Sequence, residues 1–142
     1  MPDSFELHER LDKDSRLLGY FPLSQLRLIL DANYPWFILV PQRAAIEEIH
    51  QLSDQDQQQL MRESSQLSLE LSRVFCADKM NIAAIGNIVP QLHVHHIVRY
   101  ENDIAWPSPV WGKVPATIYN DKALQSILNK IRQCWMCDFS PL

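Results

Sequence analysis

The segment GNIVPQLHVHHIVRY, residues 86–100, sets how the rest of the chain is read. It places His93, His95 and His96, three of the chain's five histidines, in an otherwise apolar run. In an extended backbone successive side chains point to opposite faces, and residues i and i+2 lie roughly 7 Å apart. Gln91, His93, His95, Ile97 and Arg99 therefore share one face, and Leu92, Val94, His96 and Val98 share the other. The first face carries a polar row. The second is mostly apolar, as expected of a strand face packed on a helix. His96 falls on that apolar side and is expected to be a satisfied core or interface histidine. Gly86 and Asn87 mark a turn just upstream.

Working outward, LRLILD (26–31) and WFILV (36–40) have strand composition and flank the turn ANYP, with Pro35 and Pro41 as punctuation. SDQD resembles a capping box, with Ser53 as N-cap and Asp56 three residues later. Leu60, Leu67, Leu71 and Val74 or Phe75 then recur at helical spacing, with Ser64 filling a gap in the stripe. This predicts one long amphipathic helix from residue 53 to about residue 77, lying on a sheet. MNIAAIG (80–86) and QLHVHHIVRY (91–100) are two further expected strands. FELHERL (5–11) predicts a short helix, and DKALQSILNKIRQCW (121–135) a C-terminal helix whose stripe runs from Leu124 to Cys134 and Trp135. Strands, helix, strands and helix with short links predict an α+β fold with an antiparallel sheet, one single domain over residues 1–142.

A chain of 142 residues can bury a core without disulfides or a structural metal. The net charge of −4 argues against a nucleic-acid polymer as partner, though a small phosphorylated ligand needs only a locally suitable site. The N-terminal stretch MPDSFELHERLDKDSR is charged and lacks the apolar core of a signal peptide. The apolar run WFILVP is far shorter than the ~20 residues of a membrane span, so no membrane partner is expected. Three cysteines cannot all pair internally, which favours a reducing compartment and a cytoplasmic location.

Two chemistries suit paired imidazoles on a strand. His93 and His95 can chelate zinc, but a third ligand has to come from elsewhere; His8 and His50 are the only other histidines. CWMC, Cys134 to Cys137, has CxxC spacing without a second pair to complete a site. A zinc-binding scaffold is therefore the lesser alternative; neither a metal nor a cofactor is expected. The other chemistry is phosphoryl. A neutral imidazole is a good nucleophile towards phosphorus, and a second one can stabilise developing oxyanion charge. Backbone N–H groups of a glycine turn add donors.

In these residues the chain resembles the histidine triad (HIT) family of nucleotide hydrolases and transferases. That family alternates three histidines with apolar residues on one strand, after a G-Q-S/T-V turn. GNIVPQLHVH has this layout: Gly86, Asn87 and Val89 match the turn, and Gln91, His93 and His95 occupy the triad positions. Upstream, LRLILDANYPWFILVPQR is similar to the family's first hairpin, and ILVPQR to its L-V-x-P-K/R. The resemblance covers residues 26 to 99 or so.

The resemblance implies that His93 is a nucleophile attacking an α-phosphorus to form a nucleotidyl-imidazole, and that His95 contacts phosphate oxygens. Substrates of that class are dinucleoside polyphosphates, nucleoside phosphoramidates and nucleotidyl esters. Asp31 is the candidate for the ribose hydroxyls, with Asn33 as the alternative if the turn shifts register; a turn-initiating role serves Asp31 equally. Asn81 and Asn87 can reach the phosphate chain or act as turn residues. Gln91 departs from the pattern. Its carboxamide can position a group by hydrogen bonds but cannot serve as a general acid near neutral pH. A nucleotide-binding module with little catalysis is thus a second expectation. Trp106 and Trp111 can cover the site or plug the core or a dimer contact, and the resemblance also implies a homodimer.

Overall fold

The computed structural model describes residues 4–142; the first three residues of the charged N-terminal stretch lie outside the described residues. Its strands are β1 (Ser15–Tyr20), β2 (Ser24–Ile29), β3 (Trp36–Pro41), β4 (Lys79–Ala83), β5 (Val94–Arg99) and β6 (Ser140–Pro141). They form one six-stranded sheet in the order β4-β5-β3-β2-β1-β6. Every neighbouring pair is antiparallel. With the helices α1 (Glu9–Asp14), α2 (Asp54–Phe75) and α3 (Asp121–Arg132), this is the expected α+β architecture.

Both faces of the sheet are covered, which explains why β3 and β5 are buried along their whole length. Leu26, Leu28, Phe37, Leu39, Val94 and Val98 meet Leu60, Leu67, Leu71 and Phe75 of α2 and Ile131 of α3 in the main core. On the opposite face Leu11, Ile38, Val40 and Val89 cluster beneath the N-terminal segment. Tyr34, Trp36, Ile97, Ala105 and Val110 cluster beneath the Trp/Pro loop. The helical face is closed by regular packing, and the other by irregular chain. That irregular chain leaves the room that a ligand needs.

Helix α2 begins where the sequence predicts: the Ser53 hydroxyl accepts the Asp56 N–H at 3.1 Å. The reciprocal half of a capping box is absent, because the Asp56 carboxylate is taken by the Arg43 guanidinium at 2.7 and 3.1 Å. Cys76, with φ of 51°, ends the helix in the left-handed region. Helix α3 stops three residues before the expected end. Trp135 lies beyond it, 84% exposed rather than on the buried stripe, and its N–H donates to the Glu70 carboxylate at 2.6 Å. The first helix is also displaced, from residues 5–11 to Glu9–Asp14, because the His8 ring caps it by accepting the Arg10 N–H at 3.0 Å.

Strand β1 was not expected from sequence. Its register against β2 shifts between Leu17 and Gly19, so the period-2 pattern that signals a strand is broken. At Gly19 a Cβ would sit 2.5 Å from the Ser140 carbonyl oxygen of β6, so only glycine admits that close pairing. Among the described residues no helix is long and apolar enough to cross a membrane.

Candidate functional site

The turn before the histidines is set by Gly86, whose φ of 68° lies in the left-handed region that glycine adopts without strain. Val89 then anchors the turn by burial against Leu11, Ile38 and Val40. Strand β5 starts only at Val94, not at residue 91. The reason is local: residues 91–93 spend their polar groups outside the ladder. The Gln91 carboxamide accepts from the His8 N–H at 2.8 Å and donates to the Glu6 carbonyl at 2.8 Å. The expected row of Gln91, His93 and His95 is therefore interrupted. Gln91 faces the N-terminal segment, while the His93 and His95 rings meet edge-on with centroids 4.9 Å apart.

Each imidazole has its proton placed by a partner whose chemistry admits one role. A carbonyl only accepts, so the 2.7 Å contact between His93 Nδ1 and the Gln91 carbonyl makes Nδ1 the N–H nitrogen and leaves the lone pair on Nε2. An indole N–H only donates, so the 2.9 Å bond from Trp36 Nε1 to His95 Nδ1 puts the His95 proton on Nε2. His96, on the other face, donates from Nδ1 to the Val94 carbonyl at 3.0 Å and accepts the Ser64 hydroxyl on Nε2 at 2.7 Å. It is fully buried in the core, as expected. Ser64, the gap in the α2 stripe, is what satisfies it.

Burial lowers all three histidines. It is the main cause for His95, which falls to about 3, aided by the neighbouring His93 and His96. His96 falls to about 4, also by burial, partly opposed by its bond to Val94. His93 is lowered by burial and by His8, against the raising effect of the Gln91 carbonyl. The pair in the site is thus neutral at ordinary pH, one a lone-pair donor and the other an N–H donor.

His93 and His95 open onto a cleft of about 610 Å³. Gly86, Asn87, Ile88 and Val89 of the turn form one side, and Arg10, Leu11 and Asp14 of α1 another. Ile29, Trp36 and Trp111 complete it. Trp111 stands edge-on to both His95 (5.0 Å) and Trp36 (5.6 Å). A second chamber of about 420 Å³ shares Asp14, Ile29, Trp36 and Trp111 with the first and adds Lys13 and Asp31. The two form a run from the imidazoles to the turn after β2.

Of the residues singled out by sequence, Gly86, Asn87, Val89, His93 and His95 come together at the cleft. Asp31 lies in the adjoining chamber, where its Oδ1 accepts from the backbone N–H of Asn33 (3.0 Å) and Thr117 (3.2 Å). It holds the turn, and it also borders the cavity. Asn33 is bound to Pro115 and Thr117 and lines neither chamber. Asn81, on β4, accepts from the Arg99 guanidinium at 2.8 Å through its side-chain oxygen and does not line the cleft. The tryptophans divide. Trp111 lines the cleft, whereas Trp106 lies against the Arg99 guanidinium at 5.5 Å.

Arg10, Asp14, Ile29 and Trp36 were not anticipated as site residues. Trp36 shares the alternation of Ile38, which pairs with His95, so the strand pattern held a signal once the register of β3 on β5 is known. Arg10 and Asp14, an ion pair at 3.7 Å, had none, since only tertiary packing brings α1 to the sheet. Among the described residues no group of three or more His, Cys, Asp or Glu is arranged to hold a metal ion.

Known proteins are similar to this chain in sequence and fold. The HIT domain family matches residues 10–102. The crystal structure of a histidine triad protein from Marinobacter aquaeolei VT8 is 48% identical, with TM-score 0.90 over 93% of this chain and 96% of that one. That of a histidine triad protein from Bradyrhizobium japonicum is 44% identical, with TM-score 0.90 over 94% and 100% of the two chains. A histidine triad protein from Sinorhizobium meliloti 1021 is 42% identical, with TM-score 0.89 over 92% and 97%. Among curated proteins no relative matches. The family match includes the turn, both imidazoles and α1's contribution to the cleft, and it is shared with whole-chain structural relatives: the chain belongs to the histidine triad (HIT) family.

Proposed function

We propose that the protein is a nucleotidyl hydrolase or transferase that uses His93 as nucleophile on the α-phosphorus of a dinucleoside polyphosphate, nucleoside phosphoramidate or nucleotidyl ester. The observation that carries this is the pair of complementary tautomers: His93 with its lone pair on Nε2, and beside it His95 with its proton on Nε2. In the first half, a bond forms from His93 Nε2 to phosphorus and the bond to the leaving group breaks, its electron pair departing with that group, which takes a proton from water as it leaves. The His95 Nε2–H donates to a non-bridging phosphate oxygen as its charge grows, without a change of protonation. In the second half water adds to phosphorus and gives up a proton to solvent, the P–N bond breaks and its electron pair returns to His93. Trp36 keeps His95 from presenting the wrong nitrogen. Asp31, from the adjoining chamber, is assigned to the ribose hydroxyls, and the backbone of Gly86 and Asn87 to the phosphate chain. Among the described residues the outer edge of β4 pairs with no further strand, which supports a homodimer through that edge.

Incubation with representatives of the three substrate classes, followed by acid-free quenching and mass spectrometry, is expected to trap a nucleotidyl adduct on His93. Failure of every substrate to turn over, with His93→Ala behaving like wild type, ends this assignment. A second function, nucleotide binding with little turnover, is favoured by one fact: both polar atoms of the Gln91 side chain are already bonded to backbone. Calorimetric binding of a nucleoside monophosphate with no adduct and no product would support it.

A further inference from the structure

Helix α1 brings two charged residues one turn apart to the cleft, Arg10 and Asp14. Both imidazoles there are neutral, so among the described residues lining the cleft Arg10 carries the one formal positive charge. Its guanidinium is loosely held. Arg43, Arg73 and Arg99 each grip a carboxylate with two hydrogen bonds of 2.7–3.1 Å. Among the described residues Arg10 has one such link, Nε to the Asp14 carboxylate at 3.7 Å, and both side chains are about half exposed. Most of its five N–H donors are therefore open to a ligand. Asp14 lines both spaces and Arg10 only the one with the imidazoles, so the cation lies on the imidazole side of the chamber assigned to the ribose. The cleft offers no acid to a departing group. Ile85, Ile88 and Val89 are apolar, Asn87 carries a carboxamide, and Gln91 spends both polar side-chain atoms on backbone. The one carboxylate, Asp14, is the partner of Arg10.

We propose that Arg10 is a specificity-determining residue, whose guanidinium leaves Asp14 to bind a leaving group that is itself a phosphate anion, such as the nucleotide expelled from a dinucleoside polyphosphate. This rests on the nucleotidyl-transfer function above and chooses among its three substrate classes. The bond from His93 Nε2 to phosphorus forms, the bond from phosphorus to the bridging oxygen breaks, and its electron pair goes to that oxygen. The oxygen then belongs to a terminal phosphate, and the guanidinium meets its added negative charge with parallel N–H donors. A phosphate is a weak base, so the proton it takes from water can follow bond cleavage. An amine needs its proton as the bond breaks, and this cleft has no acid to give it. A cation with open donors and no neighbouring acid is the complement of an anionic leaving group, not of an amine or an alkoxide.

The test gives one adenylyl group three leaving groups: ADP in diadenosine triphosphate, 4-nitrophenolate in an aryl ester, and an alkylamine in a phosphoramidate. The wild type is expected to cleave diadenosine triphosphate faster than the phosphoramidate. Arg10→Ala, at an exposed helix position that alanine suits, is expected to lower kcat/KM about 30-fold on diadenosine triphosphate and less than about 3-fold on the aryl ester. Arg10→Lys, which keeps the charge without the planar fork, should recover part of the loss. Equal losses on those two substrates, no loss on either, or a wild type faster on the phosphoramidate would overturn the proposal. If the wild type cleaves none of the three, nucleotidyl transfer itself fails, and calorimetry decides on Arg10. ADP should bind the wild type about 10-fold more tightly than AMP, and Arg10→Ala should remove that difference. A ratio unchanged by the substitution overturns the place of Arg10 at the second phosphate.

Discussion

His95 and His96 are neighbours in sequence, both buried and both held neutral, yet they belong to different parts of the molecule. His95 faces the cleft, and its Nδ1 receives the indole proton of Trp36. His96 faces α2, and its Nδ1 gives a proton to a backbone carbonyl while Nε2 receives the Ser64 hydroxyl. The two rings carry their protons on opposite nitrogens. Both ring nitrogens of His96 are occupied, so it is a core residue in imidazole form. The partner, not the residue type, determines whether an imidazole has a nitrogen left for a ligand.

The largest expected contrast is catalytic. His93→Ala should lower turnover by at least about 10³-fold and remove any covalent adduct. His96→Gln, on the opposite face, should leave an adduct detectable at temperatures where the variant is folded. An adduct surviving in His93→Ala would break the division of faces.

Acid titration separates the faces next. The pKa of His96 falls from its ordinary 6.5 to about 4 in the folded chain, mainly through burial. Above pH 6.5 the ring is neutral in both states and its contribution to stability is complete. As pH falls from 6.5 to about 4, the unfolded chain binds a proton that the folded chain does not, so stability declines. His95 continues this trend to about pH 3. Urea unfolding at a series of pH values should show that decline, and His96→Gln should flatten the portion above about pH 4. An unchanged slope would show that His96 is not the group responsible.

Two conservative variants sharpen the comparison. Ser64→Ala leaves His96 Nε2 buried without a donor and is expected to destabilise the fold by about 1–3 kcal/mol, with kcat unchanged at low temperature. Trp36→Phe keeps most of the packing but frees His95 to take either tautomer. It should cost about 10-fold in kcat and shift the thermal midpoint little. If Ser64→Ala slowed turnover as much as Trp36→Phe, the two faces would not be independent.

Much of this was legible in the chain. Strand alternation is a local property, so the sequence separated His93 and His95 from His96 without any tertiary knowledge. The Ser53 cap and the leucine stripe likewise determined α2, whose periodicity runs over many turns. The gap at Ser64 and the lone imidazole at His96 were each visible, but their pairing was not, since 32 residues intervene. Strand β1 escaped because a register shift broke its pattern, and Trp135 left its stripe because α3 ended early.

The residue-level chemistry of the site was decided elsewhere. Imidazole tautomers follow from hydrogen-bond partners: that of His95 comes from Trp36 on β3, and that of His96 from the Val94 carbonyl, which leaves Nε2 to accept from Ser64 on α2. Asn81, placed near the phosphate by resemblance, is bonded to a buried arginine whose need for partners no local pattern reveals. The first triad position shows the division most clearly. The sequence determined that it is glutamine. Only the fold, by bringing the backbone of Glu6 and His8 within 2.8 Å of that carboxamide, decided that the glutamine is bonded to the N-terminal segment. Side-chain identity and alternation are written along the chain, whereas hydrogen-bond partners depend on distance in space, which packing alone sets.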